Sequence, residues 1–203
     1  MKRRVIFLNK PVFGYALTGS FCTFKKSVAV LEELSKKDVE LVPIMSFNAY
    51  SLDTRFGTAK SFCDQIEEIC GRKIISTIEA AEPIGPKKLL DLLIISPCTG
   101  NTLSKLSNSI ADTPVTLAAK SHLRNGRPIL LGVSSNDSLA AAARNIGLLM
   151  ARKHIYFIPM SQDDAKEKPF SIVCNFEKTY EAALSALKEE QLQPMFTAAA
   201  GAK

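Results

Sequence analysis

The sequence has few cysteines, and they follow no regular spacing. Its five cysteines stand at 22, 63, 70, 98 and 174, an odd number without a CxxC spacing or a Cys/His cluster. That pattern excludes a disulfide framework and the common zinc classes, so no metal is expected, and it points to a reducing, cytoplasmic setting. No apolar run is long enough to span a membrane. The N-terminal MKRR is followed by only a few apolar residues before Asn9, Lys10 and Pro11, too short and interrupted for a signal peptide. There is also no dense basic tract. The net charge of +6 is spread over Lys2 to Arg4, Lys25 and Lys26, Lys36 and Lys37, and Lys87 and Lys88. Nucleic-acid binding is therefore not expected, while an anionic small substrate or an acidic partner fits. No internal repeat or shift in composition divides the chain. At 203 residues, with 46% hydrophobic and 23% charged content, a single ordinary domain is expected.

What is present is a succession of short apolar runs, each followed by a polar turn and then a helical pattern. The clearest is Asp91 to Pro114, DLLIISPCTGNTLSKLSNSIADTP. Leu92 to Ser96 has strand length, Pro97 to Thr102 is a small polar cluster, and Leu103, Leu106 and Ile110 recur at helical spacing. A helix start carries unpaired N–H groups and the positive end of its dipole, so this turn suits an anion. An ordinary helix cap fits the same residues equally well. Val12 to Thr18 reads as a first strand ending at Gly19 and Ser20, with Ser20 and Thr23 offering hydroxyls at a helix that runs to Lys37. The spacing is not that of the GxGxxG dinucleotide fingerprint.

Glu40 to Met45 reads as the second strand, ending at Ser46. Phe47 to Gly57 then reads as a long loop, the kind often used for function. Within it Arg55 is a candidate for holding a carboxylate, although a surface arginine in an ion pair fits the same pattern. A helix over Thr58 to Cys70, capped by Gly71, and a short strand over Ile74 to Ile78 are expected. Thr113 to Leu123 reads as a helix with Pro114 in its first turn. Pro128 to Val133 is a further strand, stopped by Ser134, Ser135, Asn136 and Asp137 and followed by a helical run from Leu139 to Leu149. Ile155 to Ile158 is the last expected strand, Ser161 to Pro169 a charged loop, and Tyr180 to Leu187 a closing helix. The Ala/Gly-rich end, 195–203, reads as a mobile tail.

Strands and helices alternate, so a mostly parallel sheet with helices on both faces is expected. Three strand ends carry hydroxyl-rich turns, and ligands of such sheets bind at the strand C-termini, near the topological switch point. A phosphate-bearing ligand is the reading this convergence favours.

The Gly-Ser turn after the first strand, PCTGNTLSKLSNSIADTP and the later SSND resemble the family of homo-oligomeric flavin-containing cysteine decarboxylases. TRFG at Thr54 to Gly57, AEPIGPKKLLD at Ala81 to Asp91 and TPVTLAAKSHLRNGRP at Thr113 to Pro128 are similar to one branch of it, the B subunits of dipicolinate synthase. So are NIGLLMARKHIYFIPMSQDD at Asn145 to Asp164 and QLQP at Gln191 to Pro194. The likeness runs from Leu17 to Pro194, leaving 1–11 as an extension. It implies an α/β, flavodoxin-like (Rossmann-like) three-layer sandwich and a homo-oligomer. It also implies work beside an A subunit that carries the NADP site, in the two-electron oxidation of a dihydrodipicolinate-type dicarboxylate in the mother cell of a sporulating bacterium.

Carried over residue by residue, the flavin site would use Gly19, Ser20, Ser46, Pro97, Thr99, Asn101, Thr102, Ser134 and Asn136, holding FMN or, in its place, a phosphate ion. Arg55, Lys87 or Lys88 would hold a substrate carboxylate. The decarboxylating members use a histidine from an early helical region, and this chain has none before His122. Peptidyl-cysteine decarboxylation is therefore not expected. His122 and His154 read as structural or surface residues, and Cys98 as a small buried residue in a tight turn. A stand-alone FMN-dependent decarboxylase or flavin prenyltransferase-like enzyme, and a non-catalytic partner that docks on the A subunit, are the alternatives.

Overall fold

In the computed structural model, residues 10–198 are described. Strand β1 (Val12–Leu17) leads into helix α1 (Phe21–Ser35), and β2 (Glu40–Met45) into the short α2 (Phe47–Ser51), followed by α3 (Ala59–Cys70) and α4 (Ile78–Ala81). Next come β3 (Leu92–Cys98), α5 (Gly100–Ser107), α6 (Pro114–Leu123) and β4 (Ile129–Ser135). The chain closes with α7 (Ala143–Met150), β5 (Ile155–Phe157), β6 (Met160–Asp164), β7 (Lys168–Cys174) and α8 (Thr179–Ala186). Strands β2, β1, β3, β4 and β5 lie side by side and parallel, in the order 2-1-3-4-5 of a flavodoxin-like sheet.

The central strands are apolar along their whole length because helices cover both faces. Every residue of β3 is buried. One face packs Ile95, Leu93 and Leu131 against α5, α6 and α7, and the other packs Phe13, Tyr15 and Ile94 against α1, α3 and α8. Tyr15 meets the Ser27 hydroxyl at 2.9 Å, so its buried phenol is satisfied.

Local chemistry fixes the helix ends. Gly71 adopts φ 63° and caps α3. Thr113 and Thr116 form a capping box at α6, with Pro114 in its first turn.

Several expectations are corrected. The Ile74–Ile78 strand reduces to a single bridge, Ile44 to Ile75, because Thr77 caps α4 instead. The segment after Ser46 is not all loop: Ser46 accepts from the Ala49 N–H and starts α2. The helical run after Asp137 begins at Ala143, the preceding residues forming tight turns on the Asp137 carbonyl. Ser161 to Pro169 is not a loop but most of an antiparallel hairpin, β6–β7. Its outer strand hides in the sequence because only Met160 is fully buried, while Ser161, Gln162 and Asp163 are half-buried and Asp164 is exposed. The hairpin joins β4 through Ser134 and Val173, which extends β4 two residues past Val133.

The start of the tail is tied to the sheet edge, since the Met160 N–H donates to the Met195 carbonyl and the Thr197 N–H to the Met160 carbonyl. Its last residues, 199–203, lie outside the described part. Of the expected extension 1–11, residues 1–9 also lie outside it. Lys10 pairs with Asp38 and the Pro11 carbonyl accepts from Glu40, so those two join the fold.

Candidate functional site

Parallel order 2-1-3-4-5 reverses direction between β1 and β3, and there the turns after the two strands part to leave a crevice. Buried Thr18 locks these turns together. Its hydroxyl donates to the Pro97 carbonyl at 2.7 Å and accepts from the Thr99 N–H at 3.1 Å. Thr99 in turn caps α5, meeting the Thr102 hydroxyl at 3.1 Å and accepting from the Thr102 N–H at 3.3 Å. The chain thus places Gly19 and Ser20 beside Thr99 and Asn101.

The third turn closes the site. Ser134 Oγ lies 2.9 Å from Ser20 Oγ and 3.0 Å from Thr23 Oγ1, and Thr23 donates to Ser20 at 3.0 Å. This hydroxyl triad sits at the start of α1, whose cap residue Ser20 makes no side-chain cap bond and whose first turn holds no acidic side chain. The first N–H groups of α1 and the positive end of its dipole therefore stay available to an anion. At α5 the situation differs. Asp137 and Ser135, themselves hydrogen-bonded, crowd Gly100 so closely that a Cβ there would stand 2.7 Å from Asp137 Oδ1. A carboxylate of the chain already faces that terminus, which leaves α1 as the better anion position.

These residues line a cavity of about 780 Å3. Asn136 and Asn101 add amides, Phe21, Phe56, Ile172 and Val173 add apolar wall, and Arg55 stands at the rim. A second cavity of about 360 Å3 shares Gly19, Thr99 and Asn101 with the first and adds Ser46, Thr102 and Lys105. Both lie within the roughly 300–1,000 Å3 usual for small-molecule and cofactor sites. The donor set of hydroxyls, amides and helix N–H groups, set against an apolar wall, fits a phosphate-bearing aromatic cofactor.

Arg55 is at the tip of a turn closed by two backbone bonds between Thr54 and Gly57. Its guanidinium lies 4.9 Å from the centre of the Phe56 ring. Lys87 and Lys88 are elsewhere. They precede β3, and the Lys88 carbonyl accepts from Arg127 just before β4, at the N-terminal edge of the sheet. Seven residues of β3 separate that edge from the crevice, roughly 20 Å at strand rise. Of the three cations, Arg55 alone shares the cavity with the turns.

Burial pushes the Cys98 thiol well above its ordinary range, and its side chain packs in the core. It stays a thiol, unsuited to nucleophilic attack. His122 is buried on α6 with its Nε2 2.9 Å from the Pro128 carbonyl. Pro128 immediately precedes β4, so this contact lies at the sheet edge opposite the crevice. Asp137, Asp163 and Lys168 line the cavity without having been apparent in the sequence. The last two arrive on the β6–β7 hairpin, whose polar outer strand masks it as a loop.

The strand order and its switch-point crevice define an α/β protein of the flavodoxin-like class. The Flavoprotein family model matches residues 8–185, and the chain belongs to that family. Its similarity is to the B subunit of dipicolinate synthase: the protein of Bacillus subtilis (strain 168) is 43% identical over 182 residues, covering 90% of this chain and 91% of that protein. The crystal structure of the dipicolinate synthase B subunit from Bacillus halodurans C matches with a TM-score of 0.87 at 37% identity, covering 96% of this chain and all (100%) of that one. The FMN-dependent cysteine decarboxylase SpaF shares the fold, with a TM-score of 0.62 at 21% identity over 89% of this chain and 97% of that one.

Proposed function

We propose that this chain is the B subunit of a dipicolinate synthase, acting with an A subunit that carries NADP. Together they would oxidise a dihydrodipicolinate-type precursor to dipicolinate by two electrons, in the mother cell of a sporulating bacterium. The observation that carries this reading is that a phosphate cradle and the Arg55 guanidinium line a single cavity. The Ser20–Thr23–Ser134 hydroxyls at the start of α1 suit the phosphate of FMN, and Arg55 at the rim suits a substrate carboxylate. The two similar B subunits, from Bacillus subtilis and Bacillus halodurans, support the assignment of the reaction.

When bound, FMN supplies the capacity to accept two electrons. The chain's own residues bind and orient. Ser20, Thr23, Ser134 and Asn136 hold the phosphate, with the α1 dipole favouring its charge. Gly19, Thr99 and Asn101 shape the shared wall between the two cavities, and Ser46 and Thr102 line the smaller one; Pro97 lines neither and acts through its carbonyl, which accepts from Thr18 and holds the two turns together. Arg55 offers a planar pair of donors to a carboxylate. No histidine stands among the lining residues, which disfavours the stand-alone decarboxylase alternative.

The test is turnover by the reconstituted A and B complex. Arg55→Ala raises KM for the dihydrodipicolinate-type substrate by about tenfold or more, the worth of a charge-assisted pair of bonds. Unchanged KM and turnover would refute the assignment of Arg55.

A further inference from the structure

We propose that Lys168, at the start of β7, is a second carboxylate-binding residue, so that the cavity selects a dicarboxylate over a monocarboxylate. This inference rests on the reading of the cavity as a site for a dipicolinate-type substrate. Arg55 and Lys168 are both lining residues, although they come from opposite parts of the chain. Arg55 is delivered by the Thr54–Gly57 turn. Lys168 is delivered by the β6–β7 hairpin, which is fixed along the hydroxyl-lined edge by the pairing of Val173 with Ser134. In the proposed arrangement each of these two cations, on its separate segment, would meet one carboxylate of the ring. A ring with one carboxylate engages only one of them.

Lys168 already pairs with a carboxylate of the chain itself. Its Nζ lies 2.8 Å from Asp163 Oδ2, and both residues line the cavity. Asp163 therefore stands where a substrate carboxylate would sit. The lysine side chain is 59% exposed, and exposed ion pairs are weak, so exchange of one carboxylate for another costs little. The hydrogen bond from Lys168 to Asp163 also raises the lysine's pKa, in keeping with an ammonium that favours a carboxylate partner. The other carboxylate of the cavity, Asp137, accepts from the Ser135 hydroxyl through Oδ1 and forms no ion pair among the described residues. The plain alternative is that the Lys168–Asp163 pair only braces the hairpin.

The experiment is calorimetric titration of the purified full chain, in metal-free buffer, with pyridine-2,6-dicarboxylate and with pyridine-2-carboxylate. The parent is expected to favour the dicarboxylate on the order of tenfold, the range of one charge-assisted contact. Lys168→Met should remove that preference by weakening the dicarboxylate alone. Asp163→Asn should strengthen it by freeing the ammonium. Lys166→Met, in the same hairpin turn, should change neither affinity, and equal thermal midpoints establish that the variants fold. If the parent prefers the dicarboxylate and Lys168→Met keeps the preference, or if Asp163→Asn weakens it, Lys168 only braces the hairpin and the inference falls while the site reading stands. If the parent binds neither ring, the site reading fails and the inference with it.

Discussion

His122 gives the chain an acid-sensitive point whose size can be worked out. Burial lowers its pKa from the ordinary 6.5 to about 4, against a smaller opposing effect of the Pro128 carbonyl 2.9 Å away. The folded state holds the ring neutral, while the unfolded chain takes up a proton below pH 6.5. Stability from this group is therefore complete above about pH 6.5 and is lost as pH falls toward 4. A gap of that size is about 3 kcal/mol in full, and about 2 kcal/mol of it is gone by pH 5. His122→Gln keeps a donor toward Pro128 and removes the titration. Urea unfolding of both proteins at pH 7.5 and pH 5 measures the difference. The variant should lose about 2 kcal/mol less than the parent between the two pH values. Parallel losses would mean that the ring is protonated in the folded protein, and the reasoning from burial would fail.

Three further outcomes are expected. Gly100→Ala sets a Cβ 2.7 Å from Asp137 Oδ1 and 2.8 Å from Ser135 Oγ; both are side-chain tips that can turn away, so the cost in chemical unfolding should stay at or below about 1 kcal/mol, while the displaced pair should weaken FMN binding, and unchanged FMN binding would contradict the packing. Ser96 Oγ is buried without a partner among the described residues, so Ser96→Ala should be neutral or stabilising by up to about 1 kcal/mol, and a marked fall in thermal midpoint would mean the hydroxyl is bonded. Cys98→Ala should leave turnover of the A and B complex intact, and iodoacetamide should label exposed Cys22 in the native protein before buried Cys98; loss of turnover would return Cys98 to the chemistry.

The parallel core was legible because its strands are continuous apolar runs bounded by strong turn signals. Glu40–Met45 ends at Ser46 as read, and Pro114 opens a helix as read. The convergence of Gly19–Ser20, Thr99–Asn101 and Ser134–Asn136 on one edge followed from the parallel order, since that order puts strand C-termini together. The hairpin was not legible. An edge strand with one wet face, Ser161 to Asp164, carries no hydrophobic alternation to distinguish it from a charged loop. Asp163 and Lys168 were missed with it, because their place at the crevice depends on a long-range pairing with β4. Lys87 and Lys88 were misjudged for the converse reason. Nearness in sequence to the Pro97–Thr102 turn is not nearness in space, because the strand between them carries the chain from one edge of the sheet to the other.

If the hydroxyl-lined cavity at the start of α1 holds FMN, as proposed, the cofactor should stay with the purified chain. An absorption spectrum of the purified chain, taken after adding excess FMN and removing the unbound fraction, tests it most directly. A flavin band is expected to stay with the parent protein and to be lost or much reduced in Ser134→Ala, since the Ser134 hydroxyl meets both Ser20 and Thr23. A parent that retains no flavin, with dipicolinate still formed once the A subunit is added, would contradict it.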